Sequence, residues 1–347
     1  MSAEPGGEDS RTPIIGTIRV ARGLTQKEVS AQTGLSQALL SKVESGMVTL
    51  DHERMQLLAE ALDVPVIGLK LTRGDLGTPS HIFHRKRATL PVSKANQIRA
   101  QLDLAHMQIA AIFGNDRPPA RLHRTPLPDD GYVTPEDIAR DLREELQLGD
   151  GPLENLVGVL EDRGVAVLRT DLGSTRIDAL VSWPARQWPL VILSDHAPAD
   201  RQRFTLAHEL GHAVMHEIPT ENQEAEADRF ASEFLMPASS IRAELSDVSI
   251  PRLAKLKIKW GVSMAALLRR ARDLGQITES KYKQMNIEFS KAGYRNSEPV
   301  QIPVEAPVLI HRTIERRLNQ GERIKDIALA ASMNPSRFES TYRIEAA

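Results

Sequence analysis

The chain contains 347 residues, of which 41% are hydrophobic and 26% charged, and its formal net charge at pH 7 is −2. This length predicts two or three domains, and the composition is that of an ordinary globular protein. There are no cysteines, which excludes disulfides, thiol catalysis and thiolate metal sites. No apolar run is long enough to span a membrane.

Residues 1–12 are polar and acidic, which is typical of a disordered tail and unlike a signal peptide, so we expect a cytoplasmic protein. The near-neutral net charge neither favours nor excludes a nucleic-acid partner, because a basic face can be offset by acidic residues elsewhere. Evidence for a nucleic-acid partner must therefore come from a sequence motif.

The first predicted domain covers 13–72, where "GLTQKEVSAQTGLSQALLSKVESG" indicates two short helices joined by a tight turn. Thr25 and Glu28 have capping-box spacing at the start of the first helix. Gly34 stands where such a turn requires a positive φ, and Ser36 can cap the second helix, 37–44. Two capped helices with this spacing are typical of a helix-turn-helix unit.

The segment from about 14 to 69 resembles the XRE/Cro family of bacterial and phage repressors. The resemblance implies binding to a duplex DNA operator as a homodimer, with the second helix in the major groove. A small helical domain that binds a protein instead is the alternative. Arg85, Lys86 and Arg87 follow as candidates for phosphate contacts. The DNA-contacting residues that the resemblance implies are Gln26, Ser36, Gln37, Ala38, Ser41 and Lys42.

The remaining chain alternates helical, β and Pro-rich patterns. We predict a basic, helical linker over 73–130, a peptidase-like domain over 131–290, a Pro-rich linker over 291–306 and a small helical segment over 307–347. Three β patterns, "VAVLRT", "IDALVSW" and "PLVILS", suggest an antiparallel meander. The fold class is therefore mainly α with a small antiparallel sheet (α+β). The C-terminal "SMNPS" joins two helices without a glycine, which favours an ordinary helical pair over a second helix-turn-helix.

The stretch "TLAHELGHAVMHE" contains the HExxH pattern. A helix advances about 100° per residue, so His208 and His212 project from one face and can reach one zinc ion. Glu209 lies beside them as a candidate general base. His216 lies about 12 Å along the helix from His208, too far to share that ion. Gly211 costs helix stability and is explained if another segment packs closely against it.

A third ligand is expected from the next helix, "ENQEAEADRFASEFLMP". Glu224 and Asp228 share one face of it, whereas Glu226 points away. Glu224 suits a ligand, and Asp228 suits a carboxylate that holds a ligand histidine by its other ring nitrogen.

These two helices together resemble the ImmA/IrrE metallopeptidases, over about 134–286. The family consists of zinc-dependent enzymes that cleave repressor proteins. The resemblance implies that His208, His212 and Glu224 are zinc ligands and that Glu209 is the catalytic base. The family usually has Asn where Asp228 stands, and Asp still accepts a hydrogen bond.

We therefore expect a DNA-binding transcriptional regulator with a zincin-like metallopeptidase domain that acts on a repressor protein. The alternative is a non-catalytic transcription factor or antitoxin whose peptidase-like domain is a sensor or dimerisation scaffold. Packed histidines without metal, or a metal site that no longer cuts, also remain open.

Overall fold

A computed structural model describes residues 11–76, 91–116, 118–119, 121–128, 131–171, 177–183, 188–216 and 221–344. Helices dominate these residues, and a single small sheet lies among them. The predicted α+β class is confirmed. No helix in these ranges combines the length and the apolarity needed to cross a membrane.

The helix-turn-helix unit forms as its caps predict. The Thr25 hydroxyl accepts from the Glu28 N–H, and the Glu28 carboxylate accepts from the Thr25 N–H, so the capping box is complete. Gly34 has φ 72°, and the Ser36 hydroxyl accepts from the N–H of Leu39. The elements are α1 (Ile15–Ala21), α2 (Gln26–Thr33), α3 (Gln37–Glu44), α4 (His52–Ala61), a 3₁₀ helix (Val66–Lys70) and α5 (Arg73–Leu76).

The long helix α6 (Val92–Phe113) lies between this unit and the rest of the protein. Near its start, the amides of Gln97 and Gln101 donate to the carbonyl of Ala21 at the end of α1. On another side of the same turns, Ile98 and Leu102 are buried in the core beneath the sheet. One helix therefore packs against both bodies.

The sheet contains β1 (Ala166–Thr170), β2 (Ala179–Ser182) and β3 (Leu190–Ser194) in the order β1-β3-β2. The strands were correctly located, but the antiparallel meander was wrong, because β1 pairs with β3 in parallel and only β2 with β3 antiparallel. Strand directions alternate along the chain as in a meander, yet β3 inserts between the first two. Strand spacing alone does not distinguish these orders.

Both faces of the sheet are covered, as the nearly continuous apolar strands require. Val167, Val181 and Val191 belong to the core on one face, while Leu168 and Leu180 belong to the core on the other. The core on the first face also contains buried residues of α7 (Pro135–Glu145), α8 (Leu156–Glu161), α9 (Ala199–Met215), α10 (Gln223–Leu235), α11 (Ala238–Glu244), α12 (Ile250–Trp260), α13 (Met264–Asp273) and α14 (Glu279–Lys291). The core on the second face contains buried residues of α6, α15 (Leu309–Asn319), α16 (Ile324–Ala330) and α17 (Pro335–Tyr342).

The turn between α16 and α17 shares one feature with the turn in the first unit, the spacing from a left-handed residue to the start of the next helix. Ser332 takes the left-handed conformation with φ 54°, and Asn334 follows two residues later as the residue before α17. Gly34 and Ser36 stand in the same relation before α3. The absence of glycine therefore does not exclude this turn, although a non-glycine residue there costs backbone energy.

Candidate metal centre and DNA-binding face

The HExxH segment lies in the middle of α9, where two imidazoles face each other. His208 and His212 are both 1% exposed, and their Nε2 atoms lie 3.1 Å apart. Gly211 between them permits a close approach of α10, since a Cβ there would lie only 2.9 Å from Cδ1 of Phe230. The expectation that another segment packs closely against this glycine is confirmed.

The third group comes from α10, as the spacing predicted. Glu224 places one carboxylate oxygen 3.6 Å from His208 Nε2 and the other 3.6 Å from His212 Nε2. Neighbouring ligands of a tetrahedral zinc with bonds near 2.0 Å are about 3.3 Å apart. These donor atoms therefore have the spacing of a set that can close around a zinc-sized ion.

The opposite nitrogen of His208 is held by Asp228. Nδ1 of His208 lies 2.9 Å from Oδ1 of Asp228, and the guanidinium of Arg269 donates to Oδ2 of the same carboxylate at 3.0 Å. Since a carboxylate only accepts, Nδ1 carries the proton in the neutral ring and Nε2 presents its lone pair to the centre. Arg269 also balances the negative charge of Asp228.

The opposite nitrogen of His212 is held by His216, which the sequence analysis considered only as a ligand and rejected. The Nδ1 atoms of the two rings lie 2.9 Å apart, and Nε2 of His216 lies 3.1 Å from Oε2 of Glu226. The expectation that Glu226 points away was therefore wrong. If Glu226 accepts from Nε2 of His216, then His212 donates from Nδ1 and turns its Nε2 lone pair to the centre.

Local chain geometry explains why His216 was missed. Helix α9 ends at Met215, and His216 leaves it with φ −109° and ψ 100°. Its ring thus lies next to that of His212, one turn away, with centroids 5.0 Å apart. The i, i+4 spacing of His216 from His212 is the sequence signal for this contact, whereas the distance of His216 from His208 excludes only a shared metal ion.

The electrostatics of the centre favour a positive charge. Burial lowers the pKa of His208, but its contacts with Asp228 and Glu224 outweigh burial and raise that pKa to about 9. Burial and the neighbouring His208 and His216 lower the pKa of His212, and the contact with His208 lowers that of Glu224. A cation that binds here takes the place of a proton. Glu209 is fully buried beside these groups.

The predicted DNA-contacting residues lie on one end of the first unit. Gln37, Ala38, Ser41 and Lys42 are exposed on α3, and Ser36 is exposed at its cap. Gln26 is half-buried, and its amide donates to Glu44, which also forms a salt bridge with Arg19. The candidates Arg85, Lys86 and Arg87 lie outside the described residues.

Two parts of the chain match known family models. Residues 15–69 match the helix-turn-helix family, and residues 160–272 match the IrrE N-terminal-like domain, also called peptidase M78. The second match spans every residue of the centre described above, from His208 to Arg269. A search of curated proteins gave no match.

Proposed function

We propose that this chain, an XRE-type helix-turn-helix domain joined to an IrrE N-terminal-like peptidase-family domain, is a DNA-binding transcriptional regulator and a zinc-dependent endopeptidase. The observation that carries the proposal is the convergence of His208, His212 and Glu224, whose ligand atoms all lie within 4.8 Å of one another. The proposed substrate is a repressor protein, and the proposed DNA-bound form is a homodimer.

The donor set fits zinc. Two imidazole nitrogens and one carboxylate are the ligands of many catalytic zinc sites, and such sites leave a fourth position open. Each ligand histidine is fixed by a hydrogen-bond partner behind it, Asp228 or His216, as is usual for zinc-binding imidazoles. Glu224 is 35% exposed, whereas both histidines are buried, so the open side of the centre lies next to Glu224.

The chemistry that a bound zinc ion supplies is Lewis-acid polarisation of a peptide carbonyl and of water. Glu209 is the proposed general base, which takes a proton from the attacking water and returns it to the leaving amine. Asp228 and His216 hold the two ligand rings and keep their protonated nitrogens away from the centre.

Replacing Glu209 by Gln separates a peptidase from a scaffold. Gln keeps the shape but cannot accept a proton at neutral pH, so zinc content should persist while target cleavage falls by about 10²–10⁴. His212→Ala should lose both zinc and cleavage. Elemental analysis, cleavage of candidate repressors and a reporter of the regulated operon measure these effects. Glu279→Gln, at an exposed glutamate of α14, is the matched control.

The outcomes are separable. A normal reporter response from Glu209→Gln together with a defective one from His212→Ala would show that the metal has a structural role and that the domain is a scaffold. Equal zinc content in wild type and His212→Ala would remove the metal assignment itself.

A further inference from the structure

A cavity of about 170 Å³ lies between β1 and the C-terminal helices. Leu168 of β1, Ile310 of α15 and Tyr342 of α17 supply apolar walls. These three side chains belong to the core on the face of the sheet opposite the metal-binding helix α9. The cavity is therefore separate from the candidate metal centre, and its lining residues take no part in the proposed peptidase chemistry.

The size of the cavity matches one small ring. A buried cavity of about 150 Å³ lined by aliphatic and aromatic side chains in another protein, T4 lysozyme, binds benzene. The present cavity is close to that volume, so it corresponds to one six-membered ring with a substituent. Apolar walls favour the ring, because burying apolar surface is the main source of affinity in such pockets.

One side of the cavity is basic. Arg169, His311 and Arg343 line it together with the apolar walls. The guanidinium groups of Arg169 and Arg343 both donate to the same oxygen of Asp195, at 3.1 and 2.7 Å. Two guanidinium groups therefore share one carboxylate. A second carboxylate, supplied by a ligand, would give each guanidinium group a partner of its own. Arginine is suited to this task, because its donors match carboxylate geometry and bind it with charge-assisted hydrogen bonds.

We propose that this cavity binds a small organic carboxylate whose apolar body has about the size of a six-membered ring. The ring lies against Leu168, Ile310 and Tyr342, and the carboxylate faces Arg169 and Arg343. The helix that forms one wall, α17, also contacts the DNA-binding domain, since Arg337 within it and Asn334 directly before it both donate to Asp63. The ligand would therefore lie against a helix that contacts that domain.

Benzoate is the probe, and the full-length chain is the protein tested. Saturation-transfer NMR and calorimetric titrations should show saturable binding of benzoate, with the neutral isostere benzamide binding about 10-fold or more weakly, because it lacks the charge that the arginines recognise. Acetate carries the charge without the ring and should also bind at least about 10-fold more weakly.

Two variants test the location. Ala306 is exposed at the edge of the cavity, so Ala306→Trp should block benzoate without disturbing the core. Arg343→Gln should weaken benzoate about 10-fold. Arg323→Gln is its matched control, because Arg323 is also exposed and paired with one aspartate but lies away from the cavity lining. Circular dichroism and the urea midpoint show whether each variant is folded.

Several results would overturn the proposal. Absence of saturable benzoate binding to the wild type removes it, as does benzoate binding that Ala306→Trp leaves unchanged. Equal affinity for benzoate and benzamide refutes the role of the arginines, and equal affinity for acetate refutes the apolar part of the site.

Discussion

Adding one methyl group at Gly211 tests whether the contact between α9 and α10 is as tight as the structure requires. The new Cβ would lie 2.9 Å from Cδ1, 3.1 Å from Cγ and 3.3 Å from Cβ of Phe230. Ordinary contacts begin at 3.4 Å, so the two helices must separate by about 0.5 Å. Phe230 is fully buried and stacks on Phe234 with centroids 5.6 Å apart, so its ring cannot turn away freely.

The expected free-energy change combines two opposed effects. Gly→Ala inside a helix gains about 1 kcal/mol from backbone entropy, whereas overpacking a core costs about 1–3 kcal/mol. We therefore expect Gly211→Ala to lower the free energy of unfolding by about 1 kcal/mol. The same separation moves Glu224 on α10 away from the two histidines on α9, so zinc affinity should fall as well, about 10-fold.

Gly151→Ala is the matched control. Nothing lies within 4 Å of a Cβ at Gly151, and its φ is not positive. That variant should be as stable as the wild type or gain about 0.4–1 kcal/mol. Urea denaturation and a competitive zinc titration measure both quantities. If Gly211→Ala unfolds at a urea concentration equal to or above that of Gly151→Ala, with unchanged zinc affinity, the helix contact does not control the site.

Three further changes test other parts of the structure. His216→Ala should lower zinc affinity about 10–100-fold, because His212 loses the partner that holds its ring. Loss of a ligand, by contrast, should abolish zinc binding. Unchanged affinity of His216→Ala in a zinc titration would exclude a positioning role for His216. Gln37→Ala should weaken operator binding by about 1–3 kcal/mol if the amide reads a base edge, which gel shift against specific and random duplexes can measure. Burial raises the pKa of Asp63, but the hydrogen bonds from Asn334 and Arg337 outweigh it and hold that pKa below its usual range. The contribution of ionised Asp63 to the free energy of unfolding should therefore be full at neutral pH, above the usual pKa of about 3.9. It should disappear as the pH falls through the lowered pKa of the folded state. The difference in urea midpoint between wild type and Asp63→Asn, followed from pH 7 downward, checks this; a constant difference would contradict it.

Sequence reasoning was most successful where the determinant is local. The predicted capping box of Thr25 and Glu28 is present at the start of α2, and the predicted turn at Gly34 has its positive φ. Helical period alone predicted which side chains of the candidate metal centre share a face within each helix, since i, i+4 pairs in α9 and in α10 lie one turn apart. Each of these inferences needs only residues a few positions apart.

The contacts that sequence reasoning missed join residues far apart in the chain. Arg269 on α13 reaches Asp228 across 41 positions, and the pairing of β1 with β3 depends on which strand occupies the centre of the sheet. Helical period shows which face of an element is polar, but it does not show which other element that face will meet. These contacts therefore had no signal in a single sequence.

The Pro-rich segment before α15 shows how composition can predict backbone form and still miss its role. Residues 297–308 contain neither helix nor strand, as proline density predicts. Two glutamates of this segment nevertheless bind it to the peptidase-like body by accepting hydrogen bonds from N–H groups at helix starts. Glu298 accepts from the N–H groups of Met264 and Ala265 at the start of α13, and Glu305 accepts from the N–H of Val157 at the start of α8.

At the C-terminal end of α8, a glutamate makes the same kind of capping contact with the start of α15. Glu161 is buried, and burial raises its pKa despite its hydrogen bonds from the N–H groups of Val308 and Leu309 at the start of α15. Acidic side chains from distant segments thus satisfy the free N–H groups at the starts of three helices, where the helix dipole also favours negative charge. Capping by neighbours in sequence is readable from a motif, whereas capping at this distance depends on the finished fold. This explains how an irregular, Pro-rich segment can hold the C-terminal helices, and the cavity that they enclose, against the sheet.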